Sequence, residues 1–411
     1  MKKRCFALIC FIAVFIALPV QAKEDGIDVK NAISQTITYE QSLFPNPQPS
    51  YGHTAGAEWA LLGIARSGEE ISQDYYQTYL TNLSVTLEKN RGDLQSVTND
   101  DKVILALTAI GLDPTNFAGY NLIVLGFESF DAIEALTPSG PAYALLALNS
   151  NDYQLPPQAD YDESDLVGLL LQSEIKPSAD NGNQQGGWAW TGDKPDPDLT
   201  AMVLQALAPY DTDAHPAVVD AVARGLSVLS GMQLADGGFS SYGVENACSV
   251  AQVVTALCEL GIDPTSQVYG FNQGGANMVE NLLSFALPSG GFIYQQGERA
   301  ASAFSSEQSL YALVDYQRLK EGKSSLYRMD DVTPFFYHVP DVAPEQSGSG
   351  AMTSEPVQTA ILDNGEQTQS FQTVGVQSPA TGDDGYGAIG LLGVLALTVA
   401  VLLKRSGNHA S

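Results

Sequence analysis

Six apolar octets recur along the chain: AEWALLGI from Ala57, VILALTAI from Val103, PAYALLAL from Pro141, TAMVLQAL from Thr200, VAQVVTAL from Val250 and SEQSLYAL from Ser306. Five place Ala seventh, and the first places Gly63 there. Several are apolar nearly all the way round, which predicts helices buried on every side. Between them run amphipathic stretches at Val29–Leu43, Ser72–Glu88, Asn121–Glu134, Glu163–Gln172, Pro216–Gln233 and Gly275–Leu287. Gly111-Leu112-Asp113-Pro114-Thr115 and Gly261-Ile262-Asp263-Pro264-Thr265 are stop-and-turn signals, with Gly ending one helix and Pro barring its extension. The pattern is therefore all-α: an amphipathic helix followed by a buried one, six times over. Closing the six hairpins into a ring, buried helices inside, covers the apolar end faces that an open stack would expose. An open helical solenoid is the alternative, since the number of repeats does not by itself require closure.

The ends of the chain carry their own patterns. Lys2, Lys3 and Arg4 precede an apolar run from Cys5 to Val20, and Val20-Gln21-Ala22 offers small residues for cleavage. This is the layout of a secretory signal over residues 1–22. At the other end Ser378-Pro379-Ala380-Thr381-Gly382 leads into an apolar stretch from Tyr386 to Leu403 and then Lys404-Arg405. The stretch is long enough to span a bilayer, and the two cations hold its end on the cytoplasmic side. In this order the three parts resemble a sortase sorting signal over residues 378–411. The resemblance implies cleavage after Thr381 and attachment to the cell wall of a Gram-positive bacterium. The expected partners are thus a sortase and peptidoglycan, with membrane contact only through the C-terminal helix before sorting. Residues 334–377 are rich in Pro, Ser, Gln, Thr and Gly without sustained periodicity and read as a flexible tether. That leaves 23–333 for the ring.

Charge narrows the partners further. The whole chain carries −28. Without the signal's three cations, and without the tail's two cations and two acids, 14 basic and 45 acidic residues remain, a net of −31. Such a field repels nucleic acid. Only Cys248 and Cys258 lie beyond the signal. Ten residues apart in one helix, they are about 15 Å from each other, too far for a disulfide, and are expected as buried thiols.

The last three hairpins share one more mark. Gln184-Gln185-Gly186-Gly187-Trp188, Gln233-Leu234-Ala235-Asp236-Gly237-Gly238-Phe239 and Ser289-Gly290-Gly291-Phe292 each sit between an amphipathic and a buried stretch. Paired glycines permit a tight turn, and the aromatic packs back into the ring. These turns resemble the repeat of the terpenoid cyclase and protein prenyltransferase superfamily, and the resemblance implies a six-hairpin α/α toroid (an α6/α6 barrel). In class II cyclases an Asp-x-Asp-Asp motif protonates the substrate through its middle Asp. Asp196-Pro197-Asp198-Leu199 matches except at the last place, so the resemblance makes Asp198, beside Asp196, the candidate acid. Read from the residues alone, Asp198 just ahead of Leu199-Thr200 is a helix N-cap. The zinc ligands of the prenyltransferases are not reproduced: Asn246-Ala247-Cys248 stands where Asp-x-Cys is required, and Ser305-Ser306-Glu307 supplies no His. No metal or cofactor is expected.

Further candidates follow from position. Glu58, Asp101, Asp198, Glu245 and Glu307 lie at or near the starts of buried helices, where a pair facing a cavity would suit a glycosidase. Asp193, Asp196 and Asp198 with Asn181 and Asn183 lack the ordered spacing of a calcium loop and read as a solvated loop. Trp188, Trp190 and Tyr242 sit on loops at one end of the ring and are the candidate ligand contacts. With the motifs incomplete, the sequence favours a wall-anchored ring that binds a ligand without catalysis, a small apolar molecule or a corrinoid among them. A terpenoid cyclase, or a glycan-cleaving α/α barrel, is the enzymatic alternative.

Overall fold

Six buried helices form a closed ring in the computed structural model, which describes residues 28–51 and 55–337. The stretches read as a secretory signal, as the tether beyond Tyr337 and as a sorting signal with Ser378, Pro379, Ala380, Thr381 and Gly382 lie outside the described residues, as do His53 and His338. The inner helices are α2 (Ala57–Arg66), α4 (Val97–Ile110), α7 (Ser139–Asn149), α9 (Pro197–Leu207), α11 (Ala247–Glu259) and α13 (Ala303–Glu321). Each packs on the next, and α13 packs on α2, so the chain closes on itself. The toroid expected from the sequence is the observed fold. At the closing seam a Cβ on Gly63 would come within 2.9 Å of Leu310. That approach explains why the first octet alone has Gly where the others have Ala.

The outer layer consists of α1 (Val29–Leu43), α3 (Gln73–Asn90), α5 (Leu122–Gly126), α6 (Phe130–Glu134), α8 (Glu163–Ser173), α10 (Pro216–Met232) and α12 (Met278–Leu283). Two amphipathic stretches are shorter or more broken than their pattern predicts. Asn121–Glu134 is two short helices, because Phe127 turns into the core, fully buried, and Ser129 starts a new cap on Ala132 N. In the last hairpin Asn277 caps Glu280 N, so the helix cannot start at Gly275, and buried Phe285 pulls the chain inward soon after Leu283.

Hairpin follows hairpin, so the inner helices run parallel and their N-termini share one end of the ring. The starts of α9, α11 and α13 are held by a repeated clamp. The carbonyls of Trp188, Phe239 and Phe292 accept the N–H of the next helix's N-cap, Asp196 at 2.8 Å, Asn246 at 3.3 Å and Ser302 at 2.8 Å. Trp188 N donates to Thr200 Oγ1 at 2.9 Å and Phe292 N to Ser306 Oγ at 2.8 Å, tightening two of the three. Gly187, at φ 76°, must be glycine here, as a Cβ would lie 2.7 Å from Pro195 Cβ.

The opposite end is covered by residues 323–337, which run from α13 back across the ring. Met329 N donates to Ser150 O, Phe335 N to Gly111 O and Tyr337 Oη to Leu80 O. Phe335 and Tyr337, within the stretch assigned to the tether by composition, therefore pack on the ring, while Phe336 stays 94% exposed. Arg66 binds Asp331 and the carbonyls of Ser325, Leu326 and Arg328, and Arg318 also reaches Asp331 and the carbonyls of Ser324 and Arg66. Among the described residues no helix is long and apolar enough to cross a membrane.

Candidate functional site at the N-terminal mouth

Spacings of four and three residues keep side chains on one face of a helix. On α9 that face presents Asp198, Met202 and Gln205; on α11, Cys248 and Gln252; on α13, Phe304, Gln308 and Tyr311. Gln205, Gln252, Gln308 and Tyr311 meet in the middle of the ring. Gln205 Nε2 donates to Gln252 Oε1 at 2.9 Å, and Gln252 Nε2 donates to Gln308 Oε1 at 3.1 Å and to Tyr311 Oη at 2.7 Å. Trp59 of α2 lies against Tyr143 of α7, centroids 5.6 Å apart, and against Tyr311 at 6.1 Å. Since α4 separates α2 from α7 around the ring, the Trp59–Tyr143 contact crosses its interior.

One turn nearer the mouth stands Asp198. The helix cap is Asp196, not Asp198: Asp196 Oδ1 accepts from Asp198 N at 3.0 Å and from Leu199 N at 3.2 Å. The cap lies two residues earlier than the sequence suggests because Pro197 fits the first helical position, where its missing N–H is not needed. Asp198 is thereby free to face the mouth, half-buried, with Oδ1 enclosed and without a hydrogen-bond partner. Burial and the charge of Asp196 push its carboxyl up to about 7, against a hydrogen bond from Ser249 that works the other way. Leu199, where the cyclase motif has a further Asp, is fully buried in the core.

The mouth is built around this acid. A hairpin of β1 (Ser240–Ser241) and β2 (Val244–Glu245) carries Tyr242 at its tip, 70% exposed, and Tyr242 and Gly243 both have positive φ, as a two-residue hairpin loop requires. Ser241 Oγ donates to Asp196 Oδ2 at 2.5 Å and pins the hairpin to α9. The Tyr242 phenol is raised by burial and by Asp196 and Asp198. Burial, with Cys248 and Asp198 nearby, carries Tyr294 to about 12. Cys248 is a buried thiol, 3.5 Å from Ser305 Oγ, kept protonated by burial and by the charges of Asp198 and Glu307.

The other candidates separate by role. Trp188 does not line the mouth: it is fully buried, its Nε1 donating to Leu170 O at 2.8 Å, and the clamp explains why. Trp190 is 36% exposed on the loop before α9. Glu58 is a strut, accepting from Ser50 N, Ser50 Oγ and Tyr79 Oη. Glu307 Oε2 accepts from Gly56 N at 3.0 Å across the closing seam, while Oε1 is enclosed without a partner. Asp101 is buried with neither oxygen bonded, and burial, then Asp100, raises it well above the carboxylate range. Asn181 and Asp193 cross-link their own loop through Ser178, and among the described residues no three His, Cys, Asp or Glu cluster as metal ligands. Two surface grooves, of about 480 and 420 Å³, lie elsewhere: one beside Glu163, Tyr210 and His215, the other beside Arg224.

Trp59, Tyr143 and the three glutamines were not singled out in the sequence. For Trp59, Tyr143, Gln252 and Gln308 the signal is the third place of each octet, which reads Trp59, Leu105, Tyr143, Met202, Gln252 and Gln308, while Gln205 stands sixth in its own. Bulk and amides gather at a position where an all-round buried helix needs neither.

Comparison with known proteins agrees with this architecture. Residues 137–271 match the squalene-hopene cyclase C-terminal domain. The match spans α7 to α11, includes Asp196 and Asp198, and is consistent with the α/α-toroid fold. No curated protein sequence matches the chain. Among solved structures, the unsaturated glucuronyl hydrolase of Bacillus sp. GL1, described as responsible for glycosaminoglycan degradation, is 10% identical. It covers 74% of this chain and 99% of its own, with a TM-score of 0.48. The unsaturated glucuronyl hydrolase of Streptococcus agalactiae is also 10% identical, covering 70% and 91% with a TM-score of 0.43. At that identity the sequences carry no activity from one chain to the other.

Proposed function

We propose that the ring is an enzyme of the cell surface, held there through Ser378–Gly382, that uses Asp198 as a proton donor to cleave a neutral glycan. The observation that carries this reading is the Asp198 carboxyl, half-buried at the mouth, with an enclosed unbonded oxygen and a proton affinity near neutrality. A carboxylic acid in that state can give its proton to the oxygen of a departing sugar as the glycosidic bond breaks, while water adds at the anomeric carbon and releases a proton to solvent, from which the carboxylate is reprotonated. The exposed Tyr242 and the half-buried Tyr294 supply flat apolar faces beside the acid. Binding without catalysis, favoured by the incomplete motifs, leaves the separation of roles between Asp196 as cap and Asp198 as free acid without a purpose.

The test is release of new reducing ends from neutral oligosaccharides by the purified protein and by Asp198→Asn. Release that falls at least about 100-fold in the variant, and that declines as pH passes 7 in the wild type, supports the assignment. Equal release from both proteins, or none from any substrate, overturns it.

A further inference from the structure

The floor of the mouth points to the chemistry of its ligand. Three consecutive inner helices each contribute one glutamine, and the bonds run in a single direction: Gln205 donates to Gln252, and Gln252 donates onward to Gln308 and Tyr311. Gln205 Nε2 also donates to the carbonyl of Gln252 at 3.1 Å, which fixes its amide orientation. Among the described residues, Gln205 Oε1 and Gln308 Nε2 have no protein partner, and neither is enclosed without one. The two ends of the ladder therefore open into the ring, one as an acceptor and the other as a donor. Beside them stand the faces of Trp59, Tyr143 and Tyr311.

We infer that this ladder is a binding subsite for an uncharged pyranose ring, its hydroxyl or acetamido groups bonded by Gln205 Oε1 and Gln308 Nε2 and its apolar face set against Trp59 and Tyr143. The inference rests on the glycan reading of the mouth and deepens it. A hydrocarbon chain is the wrong occupant, because it would strip water from both amide ends and return no hydrogen bond. A uronate is wrong as well. Asp196 and Asp198 take their hydrogen bonds from backbone N–H groups and hydroxyls, with no guanidinium between them and an incoming carboxylate. An acetamido sugar and a plain hexose both satisfy the ladder, so the shared chemistry is a neutral pyranose, and the arms of the test tell the two apart.

Titration calorimetry on the full protein uses four probes: an N-acetylglucosamine tetramer, a glucose tetramer, a galacturonate tetramer and farnesol. One or both neutral tetramers are expected to bind, and the uronate and farnesol are not. Gln252→Met keeps the volume while removing the centre of the ladder, and is expected to weaken neutral-sugar binding at least tenfold. Tyr311→Phe removes one hydroxyl and no shape, and is expected to weaken it about threefold; it serves as the reading should Gln252→Met unfold. Preference for the uronate or for farnesol overturns the subsite, as does unchanged affinity in both variants. Neutral sugar bound but never cleaved would sink the catalytic reading and leave the subsite standing. Cleavage indifferent to Gln252→Met would do the reverse.

Discussion

The paired cluster around Asp331 and the acids of the mouth treat charge in opposite ways. At the C-terminal end Asp331 would be raised by burial, but the guanidiniums of Arg66 and Arg318 prevail and hold it below its ordinary value. Each guanidinium nitrogen that bonds there meets a carboxylate or a carbonyl, and the covering segment is held in one place. At the N-terminal end Asp198, Asp101 and Glu307 are sequestered with at least one unbonded oxygen apiece, and burial drives all three upward. A buried charge that is fully bonded closes a structure; an acid left partly unbonded keeps its proton and can act with it. The same toroid thus holds one cluster of charges that is fully paired and, at the mouth, acids that are not.

The sharpest way to break this contrast is Asp198→Asn. The variant is expected to lose at least about 100-fold in turnover, or about 3 kcal/mol of barrier, while keeping the wild-type melting temperature or exceeding it at pH 8. Loss of fold along with activity would make Asp198 a structural residue. Next comes Arg66→Met, which should cost about 3 kcal/mol in denaturant unfolding, toward the lower end for a buried pair because Asp331 is 34% exposed. Its catalytic constants, measured where the variant is still folded, should not move.

A pH series compares the two ends directly. Glu40 and Asp100 are raised by burial to about 8, the latter with help from Asp93, and Asp198 to about 7. The folded ring holds protons at these sites that the unfolded chain releases near pH 4. The stability they contribute is complete below that pH and is lost as pH rises through 7 to 8. Asp331 has the opposite sign: its contribution is present above about pH 4 and lost as pH falls through its depressed value. Thermal melts should therefore show a higher midpoint at pH 5 than at pH 8.5, and a flat profile would mean the mouth acids are ionised throughout. The smallest effect belongs to Ser241→Ala, which releases the Tyr242 hairpin from Asp196. It is expected to cost about 1–2 kcal/mol and to raise KM more than it lowers kcat.

The pattern of octets determined most of the architecture. Helices that are apolar all round can only be interior, and six of them paired with amphipathic partners leave few arrangements. The Gly-Gly-aromatic turns were equally legible, because a doubled glycine followed by a buried ring has few local uses. Which acid caps α9 was not legible, since Asp196 and Asp198 both precede an apolar run. The fit of Pro197 to the first helical position and the bond from Ser241, 45 residues away, decide it. Trp188 and Trp190 look equivalent in sequence and part only through the clamp that buries the first. The ring floor joins Trp59, Tyr143, Gln205, Gln252, Gln308 and Tyr311 across five helices, so no local spacing announces it. Sequence alone determined that this chain is built of buried helices paired with amphipathic ones, because burial is written into each helix one residue at a time. Which residues look inward together, and which end reacts, only tertiary structure decided, because those properties belong to helices that meet through closure.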